Sequence, residues 1–319
     1  MKGIAVAGTL LVDKINEIEK YPHAGELTQI KKLSKAVGGC VPNVGIDLKR
    51  IDAGLPVKAV GAIGKDEEGE FLAETLKNNG LDVSGLTRFD EKTSFTDVMS
   101  ISGDERTFFT YAGASALFGE SDVDFDEINA EMLHLGYFLL LDKVDRGDGL
   151  KILKKAKEKG VKTSIDLVSE NSDRYKQVLP CLPFVDNLII NEIEGGKLAG
   201  IEPKRGNIRL ICEKLKSLGV KERVIIHMPE FGACLSDGGY TEIPSFDLPK
   251  GYIKGSTGAG DAFCAGGLYG IYKGYSDEEI LKFASMCAAV SLRVPDAVSG
   301  VISEGEIREF CKGFTRKTI

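Results

Sequence analysis

Residues 57–80 read VKAVGAIGKDEEGEFLAETLKNNG. Val57 to Ile63 is short, mostly apolar and flanked by turn residues, the pattern of a buried strand. Glu67 to Asn79 repeats its apolar positions at helical spacing and is closed by Gly80, a C-terminal stop. The unit recurs along the chain. Strands are expected near Met132 to Leu141, Val161 to Leu167 and Asp186 to Ile190, and helices over Gly149 to Lys159, Asp173 to Leu179 and Glu192 to Ala199. A further helix is expected at Ile208 to Leu218, strands at Arg223 to His227 and Ala233 to Ser236, and three helices beginning near Gly260, Asp277 and Ser303. Buried strands alternating with helices imply parallel strands covered on both faces. The expected fold class is α/β, doubly wound, with a mostly parallel central sheet.

Two segments break this rhythm. Residues 11–36 and 93–113 alternate apolar and polar side chains as half-exposed antiparallel strands do, and Gly103-Asp104 is a hairpin turn signal between Ser94 to Ile101 and Arg106 to Tyr111. The expectation is a core of residues 1–10, 37–92 and 114–319, with a small β-sheet lid inserted in two pieces, 11–36 and 93–113.

Composition narrows the function. The 319 residues are 43% hydrophobic and 28% charged, an ordinary globular balance, and 41 Lys+Arg against 48 Asp+Glu leave a net charge of −7. That charge gives no electrostatic footprint for nucleic acid or an anionic membrane, so a small-molecule partner is expected. The seven cysteines, at 40, 181, 212, 234, 264, 287 and 311, contain no Cys-x-x-Cys pair and read as reduced core residues of a cytoplasmic protein. The apolar start is interrupted by Gly8 and Asp13 and reads as a first strand rather than a leader. No stretch approaches the roughly eighteen apolar residues of a membrane span.

Three motifs carry chemistry. Gly255-Ser256-Thr257-Gly258-Ala259-Gly260-Asp261-Ala262-Phe263 opens a helix of small residues, whose free first-turn N–H groups and dipole form an anion site. A carboxylate inside that site repels an anion, so Asp261 is either a helix-terminal residue favouring the dipole or a base between a phosphoryl group and the hydroxyl that attacks it. Gly38-Gly39-Cys40-Val41-Pro42-Asn43 opens another helix. Its paired glycines allow close backbone approach to a ligand, and Asn43 offers both a donor and an acceptor to a sugar hydroxyl. Asp13, after the first strand, can accept hydrogen bonds from a diol. Asn191-Glu192-Ile193-Glu194 stands where a parallel strand meets a helix, placed either as a capping box or to hold hydrated Mg2+ beside phosphates.

Taken together, the Gly-Gly-x-x-x-Asn, Asn-x-x-Glu and Thr-Gly-Ala-Gly-Asp motifs and the order of elements resemble the ribokinase-like (PfkB) carbohydrate kinase family over essentially the whole chain. The resemblance implies a doubly wound core, a β-sheet lid that often forms a homodimer, and ATP-dependent phosphorylation of a hydroxymethyl group. By position it implies Asp261 as catalytic base, Gly258, Ala259 and Gly260 as anion hole, and Asp13, Gly38, Gly39, Asn43 and Arg106 on the sugar side. It implies Asn191, Thr257, His227 and Gly232 on the nucleotide side, with Glu194 and Asn191 organising Mg2+ through water.

The chain departs from the family pattern at two places. Gly255 stands where the family carries an Asp associated with a monovalent cation site, which leaves dependence on K+ open. His227-Met228-Pro229 stands where a Thr-x-Gly usually touches the nucleotide, and Pro229 has no N–H to donate. Arg106, on a lid strand, either neutralises an acidic group of the substrate or faces solvent. Phe108, Phe109 and Tyr111 either cover the sugar or pack against a second subunit, and an aromatic lid would suit a nucleoside as well. A sugar-binding regulator on a kinase scaffold is the reading outside enzymology. A dinucleotide-dependent oxidoreductase is excluded, because no Gly-x-Gly-x-x-Gly follows the first strand.

Overall fold

The structure is a computed structural model describing residues 2–101, 106–170 and 172–318. In chain order its strands are β1 (Ile4–Gly8), β2 (Leu11–Ile18), β3 (Ile30–Gly38), β4 (Val57–Gly64), β5 (Asp82–Phe89), β6 (Phe95–Ile101), β7 (Arg106–Tyr111), β8 (Met132–Phe138), β9 (Lys162–Leu167), β10 (Asn187–Asn191), β11 (Arg223–His227), β12 (Phe231–Ser236) and β13 (Gly239–Pro244). The helices are α1 (Cys40–Ile51), α2 (Glu67–Asn78), α3 (Phe125–Ile128), α4 (Gly149–Glu158), α5 (Glu192–Ala199), α6 (Ile208–Ser217), α7 (Ala259–Lys273), α8 (Asp277–Ser291) and α9 (Glu304–Cys311).

Nine strands form one sheet in the order β13-β12-β11-β10-β9-β8-β1-β4-β5. Pairing is parallel from β5 to β11, and β12 and β13 add an antiparallel edge. Side chains along β1 alternate between two cores. Ile4 and Val6 pack with Leu48, Leu72, Leu268, Phe283 and Ile307, while Ala5 and Ala7 pack with Phe125, Ile152, Leu198 and Ile211. Helices α1, α2, α7, α8 and α9 therefore cover one face and α3 to α6 the other. Burial on both faces is what the near-continuous apolar strands required. All seven cysteines are free and buried in these layers.

The second sheet has the order β3-β2-β6-β7. Its strands fall in the two segments that break the helix rhythm, but its central pair, β2 with β6, is parallel, not antiparallel. The two come from separate excursions of the chain, so no hairpin dictates their direction. The Gly103-Asp104 turn lies outside the described residues.

Other differences have local causes. The helix expected at Asp173 to Leu179 is a run of 3₁₀ turns over Arg174–Phe184, because Pro180 and Pro183 remove the amides an α-helix needs there. β5 and β13 carry no apolar run, being edge strands whose side chains are largely half-exposed. The strand expected to reach Leu141 ends at Phe138, next to Leu139 at φ 79° and just after Tyr137 at φ 59°. Helix α1 starts at Cys40, inside the Gly-Gly-x-x-x-Asn motif, with Pro42 in its first turn, where its missing amide costs nothing.

Phe283 is fully buried and stacks near Tyr269 at 5.5 Å between ring centres. Phe283→Ala is expected to cost about 3–5 kcal/mol, read as a clear drop in Tm, and an unchanged Tm would contradict this packing.

Candidate functional site

Chain order along the large sheet reverses at β1, which sits between β4 and β8. In open α/β sheets the crevice beyond the carboxyl ends of the strands at such a reversal is where ligands bind. Tyr137 near the end of β8, Asp166 near the end of β9, Asn191 ending β10 and His227 ending β11 all lie there. Tyr137, Asp166, Asn191 and His227, together with Glu194, Gly258, Gly260, Asp261 and Cys264, line a cavity of about 220 Å³. A second cavity of about 650 Å³ continues past Asn191, His227 and Gly260 to Gly232, Ile253 and Phe263.

Helix α7 points its N-terminus into this crevice. Its N-cap, Gly258, has φ 79° and would bring a Cβ within 2.6 Å of the Ala297 Cα, so only glycine fits. The amide of Ala259 donates to Ser256 O at 3.2 Å and is engaged within the loop. The following first-turn amides, Gly260 and Asp261, lie too early in the helix for an intrahelical partner, which leaves them for a ligand. Gly255 lies against Pro295, whose Cα stands 2.9 Å from where a Cβ would be. The loop has closed over the position where the family pattern carries a carboxylate.

Asp261 is buried in the first turn of α7, 7% exposed. Its Oδ2 accepts hydrogen bonds from Asn43 Nδ2 and from the Tyr137 hydroxyl, each at 3.0 Å. Burial, reinforced by the nearby Asp166 charge, pushes its carboxyl up to about 7 against the pull of those two donors. Asn43 Oδ1 is buried with no hydrogen-bond partner among the described residues. A buried acceptor without a partner is costly, and a ligand hydroxyl is the group that would satisfy it. Asp13 Oδ2 lies 2.5 Å from where a Cβ on Gly38 would be. Gly39, at φ 92°, passes equally close to Thr9 O. Burial lifts the Asp13 carboxyl to about 6, with the Arg106 charge opposing. Arg106 is exposed, yet it does not simply face solvent: its Nη1 donates to Thr257 Oγ1 at 2.8 Å, joining β7 to the loop before α7.

Asn191 and Glu194 form a reciprocal capping box. Glu194 N donates to Asn191 Oδ1 at 2.9 Å and Asn191 N to Glu194 Oε2 at 3.0 Å, while the Ser169 hydroxyl donates to Glu194 Oε1 at 2.8 Å. The local structural role is thus realised, on residues that still border the smaller cavity. Burial lifts the Glu194 carboxyl to about 7. His227 stacks on Phe263 at 4.9 Å, and burial pushes its imidazole down to about 4, so it meets a ligand as a neutral ring. Pro229 is exposed in the turn between β11 and β12, which Met228 N closes onto Phe231 O at 3.0 Å.

Tyr137 and Asp166 join the site without having been singled out in the sequence. Both follow apolar strand residues and have no motif of their own, and only their place at the carboxyl ends of adjacent strands could have flagged them. A carboxyl raised from 3.8 unfolded to about 7 folded destabilises the native state as pH rises between those values. Asp261→Asn removes that loss. Its Tm is expected to exceed that of the wild type at pH 8, with the gap shrinking towards pH 5, as read by thermal melts across pH; a pH-independent difference would contradict the elevated carboxyl.

The chain matches the pfkB family carbohydrate kinase family over residues 1–303. It is 26% identical over 315 residues to a ribokinase of Arabidopsis thaliana, covering 97% of this chain and 81% of that protein. It is 31% identical over 306 residues to a probable chloroplastic fructokinase-6 of the same plant, covering 89% and 76%. Its structure superposes on that of Arabidopsis thaliana ribokinase complexed with ribose and ATP with a TM-score of 0.84 at 25% identity, covering 98% and 99% of the two chains. The nine-stranded sheet, the separate small sheet and the sequence match agree, and the chain belongs to the pfkB family of carbohydrate kinases, enzymes that phosphorylate an alcohol group.

Proposed function

We propose that this carbohydrate kinase transfers the γ-phosphoryl group of ATP to a hydroxymethyl group of a sugar or sugar derivative, with Asp261 as general base. The observation that carries the reading is the division of labour on that carboxyl. Oδ2 is held by Asn43 and Tyr137, while Oδ1 accepts no hydrogen bond among the described residues and is left to take a proton. As the hydroxyl oxygen attacks the γ-phosphorus in line, its proton passes to Asp261 and ADP leaves opposite. The first-turn amides of Gly260 and Asp261, with that of Gly258, receive the phosphoryl oxygens, while the Ala259 amide, expected in the anion hole, is taken by Ser256 O.

On the sugar side, Asp13 accepts from neighbouring hydroxyls, Gly38 and Gly39 let the backbone approach the ring, and Asn43 Oδ1 accepts a hydrogen bond from one hydroxyl. Arg106, whose charge acts on Asp13 and whose guanidinium is joined to Thr257, selects for an electronegative group on the substrate. The 650 Å³ cavity, with its apolar wall of Ile193, Phe231 and Ile253, suits the base and ribose of ATP, with His227, Gly232 and Asn191 along its path and Thr257 next in sequence to its lining residue Ser256. Glu194 and Asn191, at the edge of the smaller cavity, fit a hydrated Mg2+ entering with the nucleotide; bound there, the ion offsets phosphate charge.

The small sheet, over residues 11–36 and 93–113, serves as a lid and as a homodimer contact. Its edge strand β7 and the β2–β3 region leave Leu27, Leu33, Phe108 and Phe109 exposed by 58–89%, more apolar surface than a free lid needs. Sedimentation at micromolar concentration is expected to give twice the 34.4 kDa of the chain, and a pure monomer would contradict the contact.

With Mg-ATP and a panel of hexoses, pentoses, ketoses, sugar acids, their monophosphates and nucleosides, ADP release is expected from one sugar class. Asp261→Asn should lower kcat by about 10²–10⁴ while the sugar Kd stays near its wild-type value. Full turnover in the variant would overturn the mechanism.

A further inference from the structure

Behind the catalytic carboxyl, on the core side of the crevice, four buried side chains converge from four elements. Cys40 opens α1, His134 lies in β8, Asp166 in β9, and Cys264 in α7 one turn beyond Asp261. A Cys40 sulfur, a His134 ring nitrogen and an Asp166 carboxylate oxygen lie within 4.8 Å of one another, and all three residues are buried. His134 Nε2 stands 3.4 Å from Asp166 Oδ2 and 3.6 Å from Cys264 Sγ. Gly136 is the residue that makes room, since a Cβ there would collide with the Cys40 sulfur and lie 2.9 Å from Asp166 Oδ1.

The His134–Asp166 separation is long for a direct hydrogen bond and matches the N···O edge of a coordination tetrahedron, about 3.4 Å for bonds of about 2.0–2.2 Å; the 3.6 Å contact to Cys264 is an ordinary hydrogen-bond distance to sulfur. The outer contacts also have the pattern of ligated side chains. His134 Nδ1 meets Ser164 Oγ at 3.2 Å, and Asp166 Oδ1 accepts from the Tyr137 amide, so each first-layer group is oriented from behind.

We propose that Cys40, His134 and Asp166 form a buried site for a thiophilic divalent cation of the zinc class. The Cys40 thiolate and the Asp166 carboxylate balance its two charges and neutral His134 supplies nitrogen, a three-ligand set that leaves the fourth position to water or a ligand. Thiolate and imidazole together select zinc or cobalt over magnesium. Each ligating thiol gives up a proton on binding, so affinity rises with pH. Asp166 borders the 220 Å³ cavity, which provides an entry path from solvent. The bound ion would tie α1 to β8 and β9, the elements that carry Asn43 and Tyr137. The site is independent of which sugar the kinase uses.

The test is metal binding by the full-length protein, stripped with a chelator and titrated with Co2+ and Zn2+. The expected result is about one Co2+ per chain with a thiolate-to-cobalt charge-transfer band, displaced by Zn2+ and accompanied by a rise in Tm. Cys40→Ser should abolish the band, and Cys212→Ser, an equally buried thiol elsewhere, should leave it intact. Ser164→Ala, which leaves every ligand in place, should weaken affinity by about 10–100-fold. Absence of stoichiometric binding or of the band in the wild type would overturn the site and leave an ordinary hydrogen-bonded core; so would a band unchanged in Cys40→Ser. Neither result bears on phosphoryl transfer.

Discussion

The molecule is organised around a carboxyl held where a carboxylate is least at ease. Asp261 sits in the first turn of α7, among amides oriented for an anion, buried and close to Asp166. Its carboxyl is consequently lifted towards neutrality, and a pair of donors, Asn43 and Tyr137, on a single oxygen pulls against that shift. A helix-terminal Asp exposed to solvent would need neither the burial nor the donors. The cost of holding this group in the native state is carried by the two cores that sandwich the sheet.

The doubly wound topology is what makes the arrangement possible. Strand reversal at β1 opens a crevice, and every side chain that meets Asp261 arrives from the end of a neighbouring strand or the start of a helix that follows one. Asn43 comes from α1 and Tyr137 from β8, while Arg106 reaches over from the second sheet to Thr257. That last contact connects the small sheet to the loop that leads into α7.

What could be read from the sequence was what is local in it. The strand and helix rhythm, the two segments that break it and the Gly-Ala-Gly-Asp helix start are all written in consecutive residues. Pairings across the chain are not: Asn43 and Asp261 are 218 positions apart, and nothing near Asn43 shows that its amide would bind the base while its carbonyl stays free. Tyr137 was hidden because a tyrosine at the end of an apolar strand reads as core, and its left-handed φ of 59° is a property of the fold. Asn191 and Glu194 show the opposite case, where two readings of one motif coincide, since the capping box forms on residues that also border the cavity. The edge strands β5 and β13 escaped because solvent on one side removes the apolar run that marks their neighbours.

The most direct test of the account is the pH dependence of kcat/KM for the sugar identified by the panel. A base whose carboxyl titrates near 7 must be deprotonated to accept the hydroxyl proton, so the rate should fall about tenfold per pH unit below that point, with an apparent pKa near 7. A rate that stayed level down to pH 5 would mean that Asp261 is an ordinary helix-terminal carboxylate and that the proton leaves by another route.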